Sequence, residues 1–198
     1  MDKNILVIGA SRSGKTSLAR IINKELGYSI VSLDDIICGF ESFPELGIHH
    51  DGNDVEVAQN FSKFLKRYLV ELSEGPNYYG GCKYVIEGTH IDFEDLMPFI
   101  KSDKLKDKYE IIGLTYNYIS EEDLYNNIKN NDTEDDWTFY CSDEELRGNV
   151  KYFLDRNKFF SNKFKKYGIS SYDTSKDRQA VLSSIIIDIT NNENKLKR

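Results

Sequence analysis

Long apolar runs, a surplus of positive charge and paired cysteines are all missing from this 198-residue chain. No stretch approaches the ~20 consecutive apolar residues that carry a helix across a bilayer, which excludes a helical membrane anchor. With 26 basic against 33 acidic side chains the net charge is −7, a sign that repels the phosphates of nucleic acids and of anionic lipids. The three cysteines, Cys38, Cys82 and Cys141, are odd in number and far apart, which predicts free thiols in a reducing compartment. His49, His50 and His90 add no zinc pattern to them. The chain runs into its first apolar segment without a signal peptide, so the expectation is a cytoplasmic protein with a small-molecule partner, working as a monomer or homodimer. No internal repeat or composition break divides it, and its length suits one α/β domain over 1–198.

What is present is concentrated near the start. Gly9-Ala10-Ser11-Arg12-Ser13-Gly14-Lys15-Thr16 matches G-x-x-x-x-G-K-[ST] at every specified position and follows the apolar run Ile5-Leu6-Val7-Ile8. That context predicts strand, phosphate loop, helix. The glycines let backbone N–H groups turn inward on a β-phosphate, and the positive end of the following helix adds attraction. Lys15 is placed to reach the β- and γ-phosphates, and the Thr16 hydroxyl to ligate Mg²⁺. The candidate nucleotide contacts are Gly9, Ser11, Arg12, Ser13, Gly14, Lys15, Thr16 and Ser17.

Leu18, Ile21, Ile22 and Leu26 then recur at helical spacing, with Gly27 as the stop. Residues 29–33 read as a strand ending in Asp34-Asp35, where strand ends in an open α/β sheet face the ligand crevice. A turn-rich segment, 40–53, leads into a helix carrying Val55 to Leu72 that Gly75-Pro76 ends. Tyr84-Val85-Ile86 forms a third strand with Glu87-Gly88 at its end. A short helix over 93–100, broken at Pro98, precedes a fourth strand at 109–114. Ser120 and Ser142 each open a helix by capping, the second with the full Ser-x-x-Glu box, and residues 130–141 between them read as a polar loop. A fifth strand at 169–174, a helix over 181–189 and a frayed tail from Asn191 complete the chain.

A phosphate loop after strand one, Asp-Asp after strand two, Glu-Gly after strand three, two helices around a polar segment, and Tyr172-Asp173-Thr174-Ser175 after strand five resemble the P-loop small-molecule kinases, the adenylate kinase and shikimate kinase-like group. The resemblance implies a three-layer α/β/α P-loop NTPase fold with a five-stranded parallel sheet in order 2-3-1-4-5. It also implies an acceptor-binding insertion at about 36–76, a helical lid at about 120–166, and ATP with Mg²⁺. Under it, Asp34 or Asp35 acts as the base toward an acceptor hydroxyl, a structural helix-capping role being the alternative. Thr16 and Glu87 contact the metal, and Arg147 brings lid charge to the γ-phosphate.

The sequence departs from the adenylate kinase pattern by lacking arginine after strands two and three, which weakens a nucleoside monophosphate kinase. Between Lys24 and Lys63 there is no basic residue, while Glu25, Asp34, Asp35, Glu41, Glu45, Asp51, Asp54 and Glu56 all fall there. Such a segment disfavours an anionic acceptor. The expectation is therefore a kinase of a neutral or cationic alcohol, with Asp34, Asp35, Phe40, Glu87 and His90 at the acceptor and Phe40, Phe43 and Tyr28 as apolar walls. Trp137 reads as a core anchor for the lid rather than a stacking face. The contrasting class is a non-catalytic ATP sensor.

Overall fold

The computed structural model describes residues 3–50, 52–74, 82–134 and 136–196. Five strands, β1 Asn4–Gly9, β2 Ser29–Ser32, β3 Tyr84–Gly88, β4 Tyr109–Thr115 and β5 Ser170–Asp173, form one parallel sheet in the order β2-β3-β1-β4-β5. Seven helices connect and cover them: α1 Lys15–Leu26, α2 Leu33–Phe40, α3 Asp54–Glu74, α4 Phe93–Ile100, α5 Glu121–Asn131, α6 Asp143–Tyr167 and α7 Arg178–Leu196. The expected three-layer architecture and strand order are those observed.

β1 lies at the centre, paired with β3 on one side and β4 on the other. All six of its residues are buried, so it needs apolar side chains at successive positions and not at alternate ones. Parity then divides them between two cores. Leu6 and Ile8 pack with residues of α3, α4 and α6, whereas Ile5 and Val7 pack with residues of α1 and α7. The carboxyl ends of β1, β2 and β3 deliver the phosphate loop, the start of α2 and Glu87 to one edge of the sheet.

Several boundaries differ from the sequence expectation for identifiable reasons. The strand expected over 29–33 ends at Ser32, because the Ser32 hydroxyl accepts from the Asp35 amide at 3.1 Å and starts α2 at Leu33. Asp34 and Asp35 therefore occupy the first turn of a helix. α4 continues through Pro98, which forfeits one internal bond near the helix end while Leu96, Met97 and Ile100 stay buried. Residues 137–140 form a 3-10 turn within the segment expected to be loop. The tail expected to fray from Asn191 is helical to Leu196. The stop at Gly75-Pro76 lies outside the described residues. Among the described residues no helix is long and apolar enough to cross a membrane.

Candidate active site

The phosphate loop owes its shape to two unusual residues. Gly14 has φ 95°, which a Cβ would strain, and it starts α1 without any side-chain cap. The first amides of α1 are thus left for an external acceptor. Arg12 adopts φ 67° although it is not glycine. Its guanidinium is held by Asp136 Oδ1 at 2.8 Å and Asp132 Oδ2 at 3.0 Å, from the segment joining α5 to α6. The acidic run expected to be a solvated loop therefore reaches inward and grips the phosphate loop.

Inside the loop, Lys15 is buried and donates to the Ala10 carbonyl at 3.0 Å. Burial lowers its pKa, with Asp34 and Glu87 opposing. Thr16 Oγ1 donates to Glu87 Oε1 at 3.0 Å, while Glu87 Oε2 is buried without a partner. Burial raises the Glu87 carboxyl above its ordinary range, and nearby Lys15 opposes this without prevailing. A hydroxyl bonded to a carboxylate whose second oxygen is orphaned is a donor set suited to a hard divalent cation, so Thr16 and Glu87 fit Mg²⁺. Ser13 and Gly9 serve the loop's geometry: a Cβ on Gly9 would stand 2.6 Å from the Leu114 carbonyl oxygen.

Two cavities flank this loop. The first, about 510 Å³, is lined by residues 14–17 together with Arg12, Arg20 and Arg178 and by the α5 side chains facing them. Asp132 and Asp136 also line it and engage Arg12, and the surplus positive charge of Lys15, Arg20 and Arg178 suits a polyphosphate. The second, about 670 Å³, is lined by Ser11, Asp34, Asp35, Asp54, Thr89 and His90, with Trp137, Tyr152 and Phe153 as its aromatic wall. Among the described residues its lining contains no lysine or arginine.

His90 is buried in the second cavity, with Nδ1 3.6 Å from Asp34 Oδ1 and Nε2 3.5 Å from Asp54 Oδ1. Burial opposes its protonation, but the two carboxylates prevail and lift its pKa to about 9. Burial likewise pushes the Asp34 carboxyl upward, yet His90 and Lys15 hold it below the usual range. One Asp34 oxygen is buried while the rest of its side chain opens to the cavity. Asp35, by contrast, is exposed.

No family model matches the sequence, and none of the curated proteins matches it significantly. Solved structures do match along almost the whole chain. A shikimate kinase from Bacteroides thetaiotaomicron aligns over 99% of both chains at 16% identity, with a TM-score of 0.53. A gluconokinase from Sinorhizobium meliloti 1021 covers 99% of this chain and 96% of its own at 14% identity and a TM-score of 0.56. A shikimate kinase from Acinetobacter baumannii in complex with shikimate covers 96% and 94% at 15% identity and a TM-score of 0.56. The chain has the P-loop small-molecule kinase fold.

Within that fold, four expected site residues lie elsewhere. Phe40 packs edge-on against Phe61 and Phe64, 6.0 and 5.0 Å between ring centroids, and does not line the second cavity. Tyr28 is core and Phe43 is an exposed side chain remote from the lining. The apolar wall comes instead from α6 and the 3-10 turn, where Trp137 is 58% exposed and meets Phe153 edge-on at 6.0 Å. Trp137 is thus a cavity residue and not the core anchor expected. Arg147 is paired with Glu122 at 2.8 Å and lies 4.1 Å over the Tyr125 ring, outside the first cavity. Glu122 captures it on the outer face of the α5–α6 pair.

Sequence reasoning passed over Arg20, Arg178, Tyr152 and Arg156. Arg178 approaches the loop because Thr174 donates to the Ser13 carbonyl at 3.1 Å, and Arg178 Nη2 donates to the Arg12 carbonyl at 3.3 Å. Its place just beyond the Asp173-Thr174-Ser175 turn was the available signal. Arg156 pairs with Asp54 at 3.0 Å across 102 positions of chain, for which the linear sequence carries no cue.

Proposed function

We propose that the chain transfers the γ-phosphate of ATP, with Mg²⁺, to the hydroxyl of a small neutral or cationic molecule. One observation carries this reading: a cavity with four cationic side chains against two acidic ones, and a cavity with half-buried carboxylates and, among the described residues, no lysine or arginine, adjoin the same phosphate loop. A carboxylate or phosphate on the acceptor would find in the second cavity, among the described residues, only the His90 imidazolium, which Asp34 and Asp54 already flank, and would face Asp34, Asp35 and Asp54. This disfavours a nucleoside monophosphate as acceptor.

In this mechanism the α1 amides, Lys15, Arg20 and Arg178 bind and orient the triphosphate. Thr16 and Glu87 would hold Mg²⁺, which would supply charge neutralisation to the phosphates. Asp34 orients the acceptor hydroxyl and accepts its proton, since of the two adjacent aspartates lining the cavity it is the half-buried one beside His90 while Asp35 is exposed. Residues 36–76 carry the acceptor side of the site, and the segment from about 120 to 166 acts as a lid whose closure excludes water.

The test is thermal stability with Mg-ATP across a panel of neutral alcohols, amino alcohols and hydroxy acids, followed by ADP release. Acceptor-dependent ADP release with an uncharged or amine-bearing alcohol, lost in Asp34→Asn, is expected. Reaction only with phosphorylated or carboxylate acceptors overturns the substrate class. Stabilisation by Mg-ATP with no acceptor effect on any compound favours an ATP sensor instead.

A further inference from the structure

Two buried polar atoms in the second cavity have no hydrogen-bond partner, and they face each other. Asp34 Oδ1 and His90 Nδ1 stand 3.6 Å apart, beyond hydrogen-bond length. Folded proteins rarely leave such groups unpaired, and two of them side by side in the wall of the cavity point to a ligand atom that both donates and accepts. The ring behind this position is clamped. Its Nε2 lies 3.5 Å from Asp54 Oδ1, and Asp54 is itself bonded by the Tyr152 hydroxyl and ion-paired with Arg156 at 3.0 Å. The His50 ring packs edge-on against His90 at 5.9 Å.

Resting on the kinase reading above, we propose that His90 is a catalytic residue that grips the acceptor hydroxyl jointly with Asp34, and that Asp54 is the residue positioning its ring. The hydroxyl oxygen accepts from His90 Nδ1–H, and its proton points at Asp34 Oδ1. As phosphate transfers, a lone pair of that oxygen forms the bond to the γ-phosphorus. The bond from the γ-phosphorus to the β,γ-bridging oxygen breaks, ADP leaves with the electron pair, and the acceptor proton passes to Asp34. His90 keeps its proton throughout.

The charges around the ring explain why the pair suits this task. Asp34, Asp54 and the more distant Asp35 and Glu87 are acidic, Lys15 and Arg156 are basic, and His50 and Tyr152 complete the titratable surroundings. An imidazolium between two carboxylates keeps the partly buried Asp34 ionised and ready to take a proton. The position also selects chemistry. An alcohol both donates and accepts there, whereas a carboxylate has no proton for Asp34 and repels it.

The first experiment is an NMR titration of the three histidine rings and of the Asp34 carboxyl in the full chain without ligand. One ring titrating at about 9 is expected, falling by at least one unit in Asp54→Asn, with the Asp34 carboxyl rising by at least one unit in His90→Gln. A His90 ring titrating near the ordinary histidine value, or unmoved by Asp54→Asn, overturns the clamp. The second experiment is the pH profile of acceptor-dependent ADP release. His90→Gln should lower kcat at least tenfold, move the acidic limb upward by a unit or more and remove the alkaline limb near 9, while stabilisation by Mg-ATP is retained. A fall in kcat with an undisplaced profile assigns His90 a structural role and overturns the proposal. No ADP release with any acceptor overturns the kinase reading and the catalytic role with it, while the titration separately decides whether the clamp exists.

Discussion

Arg12 is the residue at which backbone strain and lid contact meet, and its replacement separates the two. Its φ of 67° lies in the left-handed region, and its guanidinium makes two ionic hydrogen bonds of 2.8 and 3.0 Å to Asp136 and Asp132. The side chain is 19% exposed, so solvent weakens these bonds only in part. Hydrogen bonds to charged groups contribute about 1.5–3 kcal/mol each when well shielded, and the lower end suits this rim position, so Arg12→Ala should destabilise the fold by about 2–3 kcal/mol. Alanine keeps the left-handed strain of roughly 1–2 kcal/mol, whereas Arg12→Gly removes it and gives back about 0.4–1 kcal/mol through the freer unfolded chain. Glycine should therefore be the more stable replacement by about 0.5–1 kcal/mol. Urea unfolding of the three proteins at matched pH measures this order. An alanine variant as stable as the glycine variant, or either equal to the parent, refutes the reasoning. Both variants should also expose residues 132–142 to faster limited proteolysis, because the tether holding that segment to the loop is gone.

Other perturbations have equally definite outcomes. Lys15→Ala should abolish the stabilisation by Mg-ATP, which in the parent reaches about 2.7 kcal/mol at a ligand concentration one hundred times Kd; a retained thermal shift would place the nucleotide elsewhere. Trp137 is the single tryptophan, so acceptor binding should change the intrinsic fluorescence, and Trp137→Ala should raise the acceptor KM with little loss of stability. Because the folded pKa of His90 is raised to about 9, its contribution to stability is complete below about pH 6.5 and is lost as pH rises through 9. Its size is on the order of 3 kcal/mol, so denaturation midpoints of the parent and His90→Gln should converge at high pH. Gly113→Ala would set a Cβ 2.7 Å from the Phe164 ring and should cost about 1–3 kcal/mol in unfolding free energy.

Much of the fold was legible because local rules and global architecture agree. The central strands β1, β3 and β4 are short, mainly apolar runs, the helix starts at Ser120 and Ser142 carry their caps, and Gly27 and Gly168 end helices in the left-handed conformation. The phosphate loop was legible for the same reason, since its chemistry depends on residues adjacent in sequence. The boundary at Ser32 was misjudged because a β-propensity run continues to Leu33, while a side-chain cap ends the strand one residue earlier. Arg147 shows the limit of the resemblance: it implied a lid charge aimed at the γ-phosphate, but a partner on α5 set the side chain's direction.

The sequence by itself determined the phosphate loop, the strand and helix order, and the absence of positive charge from 25 to 62, because these are properties of contiguous residues. Only the tertiary structure decided that Trp137 and not Phe40 forms the wall of the second cavity, and that Asp54 and Asp34 close on His90 from two different helices. Those contacts depend on how helices pack around the sheet, and side-chain direction at a helix start is set by the neighbours it meets rather than by the residues beside it in the chain.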